Sequence, residues 1–233
     1  MKKIAHRSGP TVFPEQTVAS AKQALADGAE MIEIDTRFTA DGQIAVCHDS
    51  NALRVFGIDK AIDEMTAAEF TALRHKDAPD YTAHLLTDYL DAGIAPLLLH
   101  VKVGGEKLIP LLDTLRAADY LGKVTLGVTT TEDIRIVKAY DPAISVLAFM
   151  GRAEYIDESA EAGADYIRLW EKWVTPERVE RILSHGKKVW IMANYWDGEK
   201  EIGGYTTEEN LRLWASMQVD GVLMNDIRYM QNI

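Results

Sequence analysis

The chain has 233 residues, 47% of them hydrophobic and 26% charged, which is enough to bury a full core and falls within the roughly 200 to 250 residues of a single α/β barrel. A formal charge of −11 excludes the broad basic footprint that nucleic acid or an anionic membrane requires, so an anionic small molecule must meet locally gathered Arg, Lys or metal charge. No apolar run approaches the roughly 18 residues of a membrane span, and the single Cys47 excludes both an internal disulfide and a thiolate metal site.

The first apolar segment, residues 3 to 6, reads as a strand of folded protein rather than a leader, and a cytoplasmic address is the expectation. A helix then closes at Asp27-Gly28, where glycine suits the left-handed cap, and a second strand follows over 30 to 37. Residues 40 to 92 break the rhythm and are expected to form an insertion on top of the fold, containing the capping-box spacing Thr66-x-x-Glu69. A third strand is expected over 96 to 103, and Leu108, Leu111, Leu112 and Leu115 give the next helix its apolar face. Strands over 124 to 129, 145 to 150 and 166 to 170 come next. Thr175-Pro176-Glu177 starts a helix that Gly186 stops. A seventh strand over 188 to 194, a capping box at Thr206-x-x-Glu209 and an eighth strand over 221 to 226 complete the chain. Eight strands alternating with helices imply parallel βαβ pairing, so the expected fold is an α/β (β/α)8 TIM barrel forming one domain over 1 to 233, with an open doubly wound sheet as the alternative.

Barrel active sites lie where strands end, so polar residues at strand C-termini are the candidates. His6 and Arg7 finish the first strand. Glu33 and Asp35 share one face of the second by its period of two, and His100 and Lys102 repeat that spacing on the third. His48-Asp49 follows the turn Thr39-Ala40-Asp41-Gly42 and can fold back over the same mouth. Two carboxylates and an imidazole suit a divalent cation, Arg7 and Lys102 suit a bound phosphate, and two histidines can serve as acid and base near neutral pH. Each feature also has a plainer meaning: Glu33 and Asp35 as a charged solvent face, His6 as a backbone partner, Lys102 as half of an ion pair. His75, His84 and His185 are assigned such ordinary roles, and the five tryptophans are assigned to packing.

The ordered series His6-Arg7, Pro14-Glu15-Gln16-Thr17, Glu33-Ile34-Asp35, Thr39-Ala40-Asp41-Gly42 and His48-Asp49 resembles the H-R-G, P-E-N-T, E-x-D, T-x-D-G and H-D motifs of the glycerophosphodiester phosphodiesterase family. Similarity is densest over residues 3 to 57. The resemblance implies a barrel enzyme that hydrolyses glycerophosphodiesters to glycerol 3-phosphate and an alcohol with the help of Mg or Ca. By position, Glu33 and Asp35 would ligate the metal, His6 and His48 would be the acid/base pair, Arg7 and Lys102 would bind substrate phosphate, and Glu15 would support the site from behind. The family's third ligand is a Glu in an E-I-K motif. Here that motif reads His100-Val101-Lys102, which makes His100 the third ligand and opens the site to Mn or Zn. Gln16 stands for the Asn of P-E-N-T, and Met224-Asn225-Asp226 stands where the family has T-D.

The expected partner is a small-molecule phosphodiester, with no nucleic acid and no integral membrane association, and a homo-oligomer stays open. Three other readings stay open with it. One is a sphingomyelinase D-like lyase that forms a cyclic phosphate, and another is a non-catalytic phosphodiester-binding barrel. The third is an aldolase-like barrel with Lys102 as Schiff-base nucleophile.

Overall fold

All eight expected strands form, most of them a residue or more away from the bounds read from sequence, in a computed structural model that describes residues 1–196 and 198–231. They are β1 (Lys2–Ala5), β2 (Met31–Phe38), β3 (Leu97–Val101), β4 (Val124–Val128), β5 (Ser145–Ala148), β6 (Tyr166–Trp170), β7 (Lys188–Met192) and β8 (Gly221–Met224). Each pairs in parallel with the next. β8 returns to β1 in the register Ile4↔Leu223. That last pairing closes the sheet into a (β/α)8 barrel and removes the open-sheet alternative.

Period-two alternation then decides what faces where. Ile32 and Ile34 of β2, Leu97 and Leu99 of β3, and Ile167 and Leu169 of β6 pack outward into the helix layer. Met31, Leu98, Trp190 and Leu223 fill the lower barrel interior. One pleat further up, three of these columns carry Glu33, His100 and Asn225 and the fourth carries Met192, while Arg168 points inward from β6 level with Trp190. The barrel is thus apolar at its floor and polar at its mouth.

The outer layer is built from α1 (Val18–Ala26), α2 (Leu86–Asp91), α3 (Leu108–Ala117), α4 (Thr131–Tyr140), α5 (Ile156–Glu161), α6 (Pro176–Ser184) and α7 (Glu208–Ser216). A short 3-10 turn, Ile227–Met230, stands in the eighth place. Caps follow the sequence signals in most cases. Thr17 Oγ1 accepts from Ser20 N–H, and Thr175 caps α6 ahead of Pro176. α3 buries the four leucines expected of it. The capping box expected at Thr206 does not form. Thr207 caps α7 by accepting from Asn210 N–H, while the Thr206 hydroxyl donates to Glu171 instead.

The insertion is a layer with its own small core of Ala45, Cys47, Ala52, Phe56, Ile62, Met65, Phe70 and Ala83. Its strand Ile44–Val46 pairs antiparallel with the upper end of β2, and the capping box at Thr66 and Glu69 forms as read. It ends earlier than residue 92, because Leu86, Tyr89 and Leu90 pack into the main core and make α2 a barrel helix. None of the described helices is long and apolar enough to cross a membrane.

Candidate active site

β1 stops at Ala5, one residue before His6. His6, Arg7 and Ser8 form a tight turn in which Arg7 and Ser8 take left-handed backbone angles, φ 48° and 69°. Such angles are costly for residues with a Cβ and persist where surrounding contacts fix them. Here Arg7 N–H donates to Glu33 Oε2 at 2.7 Å, and the buried Ser8 hydroxyl bonds Tyr89 Oη at 2.9 Å. The turn aims His6 across the mouth toward Asn225, just past β8, with Nδ1 2.7 Å from Asn225 Oδ1. Asn225 Nδ2 donates to Gly203 O, so its oxygen faces the ring. His6 therefore donates from Nδ1 and keeps the Nε2 lone pair free.

Glu33 and Asp35 are buried. Gln16 Nε2 donates to Asp35 Oδ2 at 2.6 Å, so the glutamine that replaces the motif's Asn grips the second carboxylate directly. Across the β2–β3 register, where Asp35 pairs with His100, His100 Nδ1 lies 3.0 Å from Asp35 Oδ1 and 4.0 Å from Glu33 Oε1. Lys102 Nζ lies 2.9 Å from Asp35 Oδ1 and 2.9 Å from His100 Nδ1. Despite these short distances, neither group is aligned to donate to Asp35 Oδ1, which stays without a hydrogen bond although buried. Ligand atoms of Glu33, Asp35 and His100 all fall within 4.8 Å of one another.

The electrostatics of this cluster drive its two carboxylates apart in acidity. Burial, and then the Asp35 carboxylate, push Glu33 up to about 8. Burial would also raise Asp35, but His100 and Lys102 hold it well below the usual carboxylate range. The pair therefore keeps a proton between them, carried on Glu33. Burial pushes His100 down to about 4, against the pull of Asp35. An orphaned carboxylate oxygen, a neutral imidazole and a second carboxylate that ionises with difficulty are the donor set a divalent cation would satisfy.

His48 comes from the insertion. Arg37 donates to its carbonyl oxygen at 2.8 and 3.1 Å, and its Nδ1 lies 2.6 Å from Asp49 Oδ1. Asp49 in turn accepts from Arg54, Arg54 donates to both oxygens of Glu15 at 2.6 and 3.1 Å, and Glu15 Oε2 accepts from Arg7 at 3.3 Å. This chain ties the histidine of the insertion to the β1 turn. Burial lowers both histidines, His6 to about 4 with Arg7 adding to the effect.

His6, Arg7, Glu33, Asp35, His48, His100 and Lys102 all line one cavity of about 290 Å³. Glu15 stands behind it, touching Arg7 and Arg54. Sequence reasoning did not single out Asn225 as the partner of His6, Arg54 as the bridge, or Phe149 and Trp170 as cavity wall. The inward period of β5 and β6 was the signal that could have found the last two. His84 and His185 sit elsewhere, against Asp88 and Asp157. His75 packs on Phe56.

A model of the glycerophosphoryl diester phosphodiesterase family matches residues 6–126. A glycerophosphodiester phosphodiesterase of Caldanaerobacter subterraneus is 23% identical over 244 residues, covering 99% of this chain and 96% of that one. A human lysophospholipase D, GDPD1, is 35% identical over 126 residues, covering 49% of this chain and only 40% of the human protein. An Oleispira antarctica phosphodiesterase solved with the product sn-glycerol-3-phosphate superposes with a TM-score of 0.83 at 18% identity, covering 99% and 95% of the two chains. That likeness establishes the shared barrel. With more than half of its length matched by the family model, the chain belongs to the glycerophosphoryl diester phosphodiesterase family.

Proposed function

We propose that the chain hydrolyses a glycerophosphodiester to glycerol 3-phosphate and an alcohol, with His6 and His48 as the proton-transfer pair. The observation that carries this reading is the convergence of three imidazoles, two cations and a buried carboxylate pair on one cavity. Phosphodiester cleavage needs the nonbridging oxygens neutralised, a nucleophile deprotonated and a leaving alkoxide protonated. Arg7 and Lys102 supply fixed positive charge for the first need. A divalent cation held by Glu33, Asp35 and His100 would add Lewis-acid polarisation there. The family points to Mg or Ca, and the His100 imidazole admits Mn or Zn.

His6, buried beside Arg7 and neutral, suits the base, with Nε2 free to accept the proton of the nucleophile. His48 suits the acid, because Asp49 behind Nδ1 stabilises its imidazolium form. Lys102 Nζ is already held 2.9 Å from both Asp35 Oδ1 and His100 Nδ1, so it is not free for the attack on a carbonyl that Schiff-base chemistry needs.

The test is release of glycerol 3-phosphate from glycerophosphodiesters in a panel of divalent metals. His6→Ala and His48→Ala should each lower turnover by roughly a hundredfold or more with the fold retained. A cyclic phosphate as the final product would move the assignment to the lyase reading. Turnover unchanged in both variants would remove the histidines from the mechanism.

A further inference from the structure

Arg168 is a cation that this mechanism does not use. It points into the barrel from β6, in register with Trp190 of β7, and is 3% exposed. Its Nε and Nη1 have no hydrogen-bond partner, its Nη2 reaches only Met150 O at 3.4 Å, and among the described residues no carboxylate pairs with it. Aromatic rings surround it instead. The guanidinium lies over Trp170 at 4.2 Å, Phe149 at 5.0 Å and Trp173 at 5.7 Å from the ring centroids. Burial lowers its pKa to about 9, so it stays charged at neutral pH.

Phe149 and Trp170 belong to the cavity wall shared with the two histidines. The His100 ring lies flat on one face of Phe149, 3.9 Å away and inclined by 10°, and the Arg168 guanidinium lies 5.0 Å from the centroid of the same ring. Gly127 makes room for this stack, since a Cβ there would come within 2.4 Å of Phe149 Cε2. Phe149 is thus stacked by His100 and approached by Arg168, and Trp170 is approached by the same guanidinium. Nearby carboxylates are committed too. Glu171 accepts from Asn194 N–H, the Thr206 hydroxyl and Asn210 Nδ2. Glu201 accepts from Asn194 Nδ2 and Lys172.

Recognition of an ammonium or quaternary ammonium group depends on open aromatic faces and a favourable field. In this cavity the chain's own guanidinium already lies against two rings of the wall and puts a like charge without a carboxylate partner behind them. We propose that Arg168 is a specificity-determining residue that excludes cationic leaving groups, so that the substrate is a glycerophosphodiester of a neutral polyol rather than of choline or ethanolamine. The inference rests on the phosphodiesterase reading.

The test measures kcat/KM, read as glycerol 3-phosphate release, for bis(glycero)phosphate, glycerophosphoinositol, glycerophosphocholine and glycerophosphoethanolamine. The wild type is expected to favour the neutral pair by roughly tenfold or more, the scale of one like-charge contact over several ångströms at an effective dielectric of about 20. Arg168→Met should collapse that ratio, and Arg168→Lys should keep most of it. Equal or better turnover of glycerophosphocholine by the wild type overturns the inference even if the variants do not fold, and so does a ratio unchanged in a folded Arg168→Met. No release from any of the four would overturn the phosphodiesterase reading together with this one, whereas release that favours the cationic pair overturns this one alone.

Discussion

Replacing Glu33 by Gln tests the claim that the carboxylate pair is built for a cation. In the metal-free protein Glu33 is pushed up to about 8 from an ordinary 4.5, by burial and by Asp35. A carboxyl raised on folding contributes stability that is complete below about pH 4.5 and is lost as pH climbs through about 8. Between pH 4.5 and 7 the loss spans two and a half pH units at about 1.4 kcal/mol each, roughly 3 kcal/mol, or on the order of 10 °C in Tm for a domain of this size. Glu33 is fully buried, so solvent screening does not reduce this figure. Glu33→Gln removes the ionisation, and its metal-free Tm should hold level where the wild type declines. Excess Mg or Mn should restore the wild type at pH 8 and do little for the variant. At pH 7 metal binding should expel the proton carried by Glu33 from the wild type, measurable by titration calorimetry in buffers of different ionisation enthalpy. The decisive measurement is thermal unfolding from pH 5 to 9 with chelator or with metal. A wild-type gap between the two conditions that does not widen with pH, or a Glu33→Gln protein that also loses stability at pH 8, would refute the reasoning.

Two more substitutions separate the neighbouring claims. His100→Glu supplies a third carboxylate in place of a neutral ring, and calorimetry should find the ratio of Ca to Mn affinity raised about tenfold or more; an unchanged ratio would mean that His100 does not touch the ion. Arg54→Met cuts the bridge from Asp49 to Glu15 and should lower kcat about tenfold, with Arg54→Lys recovering part of it. Because Arg54 is half exposed, the accompanying loss of stability should stay below about 1 kcal/mol, and wild-type kcat in Arg54→Met would show that His48 needs no such tether.

The positions of Glu33, Asp35, His100 and Lys102 were legible in the sequence because a strand repeats every two residues, and one inward residue fixes the rest of its column. Local motifs likewise gave the cap at Thr175 and the box at Thr66. What depends on closure was not legible. Asn225 meets His6 because β8 returns to β1, 219 residues away along the chain, and no spacing rule carries that far. Arg168 looks in sequence like any charged strand residue. Only the choice of face, settled by Ile167 and Leu169 packing outward, makes it a buried cation. Thr207 rather than Thr206 takes the cap, with the Thr206 hydroxyl turned to donate to Glu171.

The insertion's separate core has a dynamic consequence. Barrel and insertion are free to open with different free energies, since small cooperative units detach more readily than the domain that carries them. Arg7, Lys102 and the carboxylate cluster ride on the rigid barrel, but His48 rides on the smaller unit. Under the proposed mechanism, a brief detachment would leave a molecule that still grips phosphate yet has lost one of its two proton carriers, so the occupancy of the docked state would set an upper bound on turnover. Hydrogen exchange over residues 44 to 85 reads that occupancy directly.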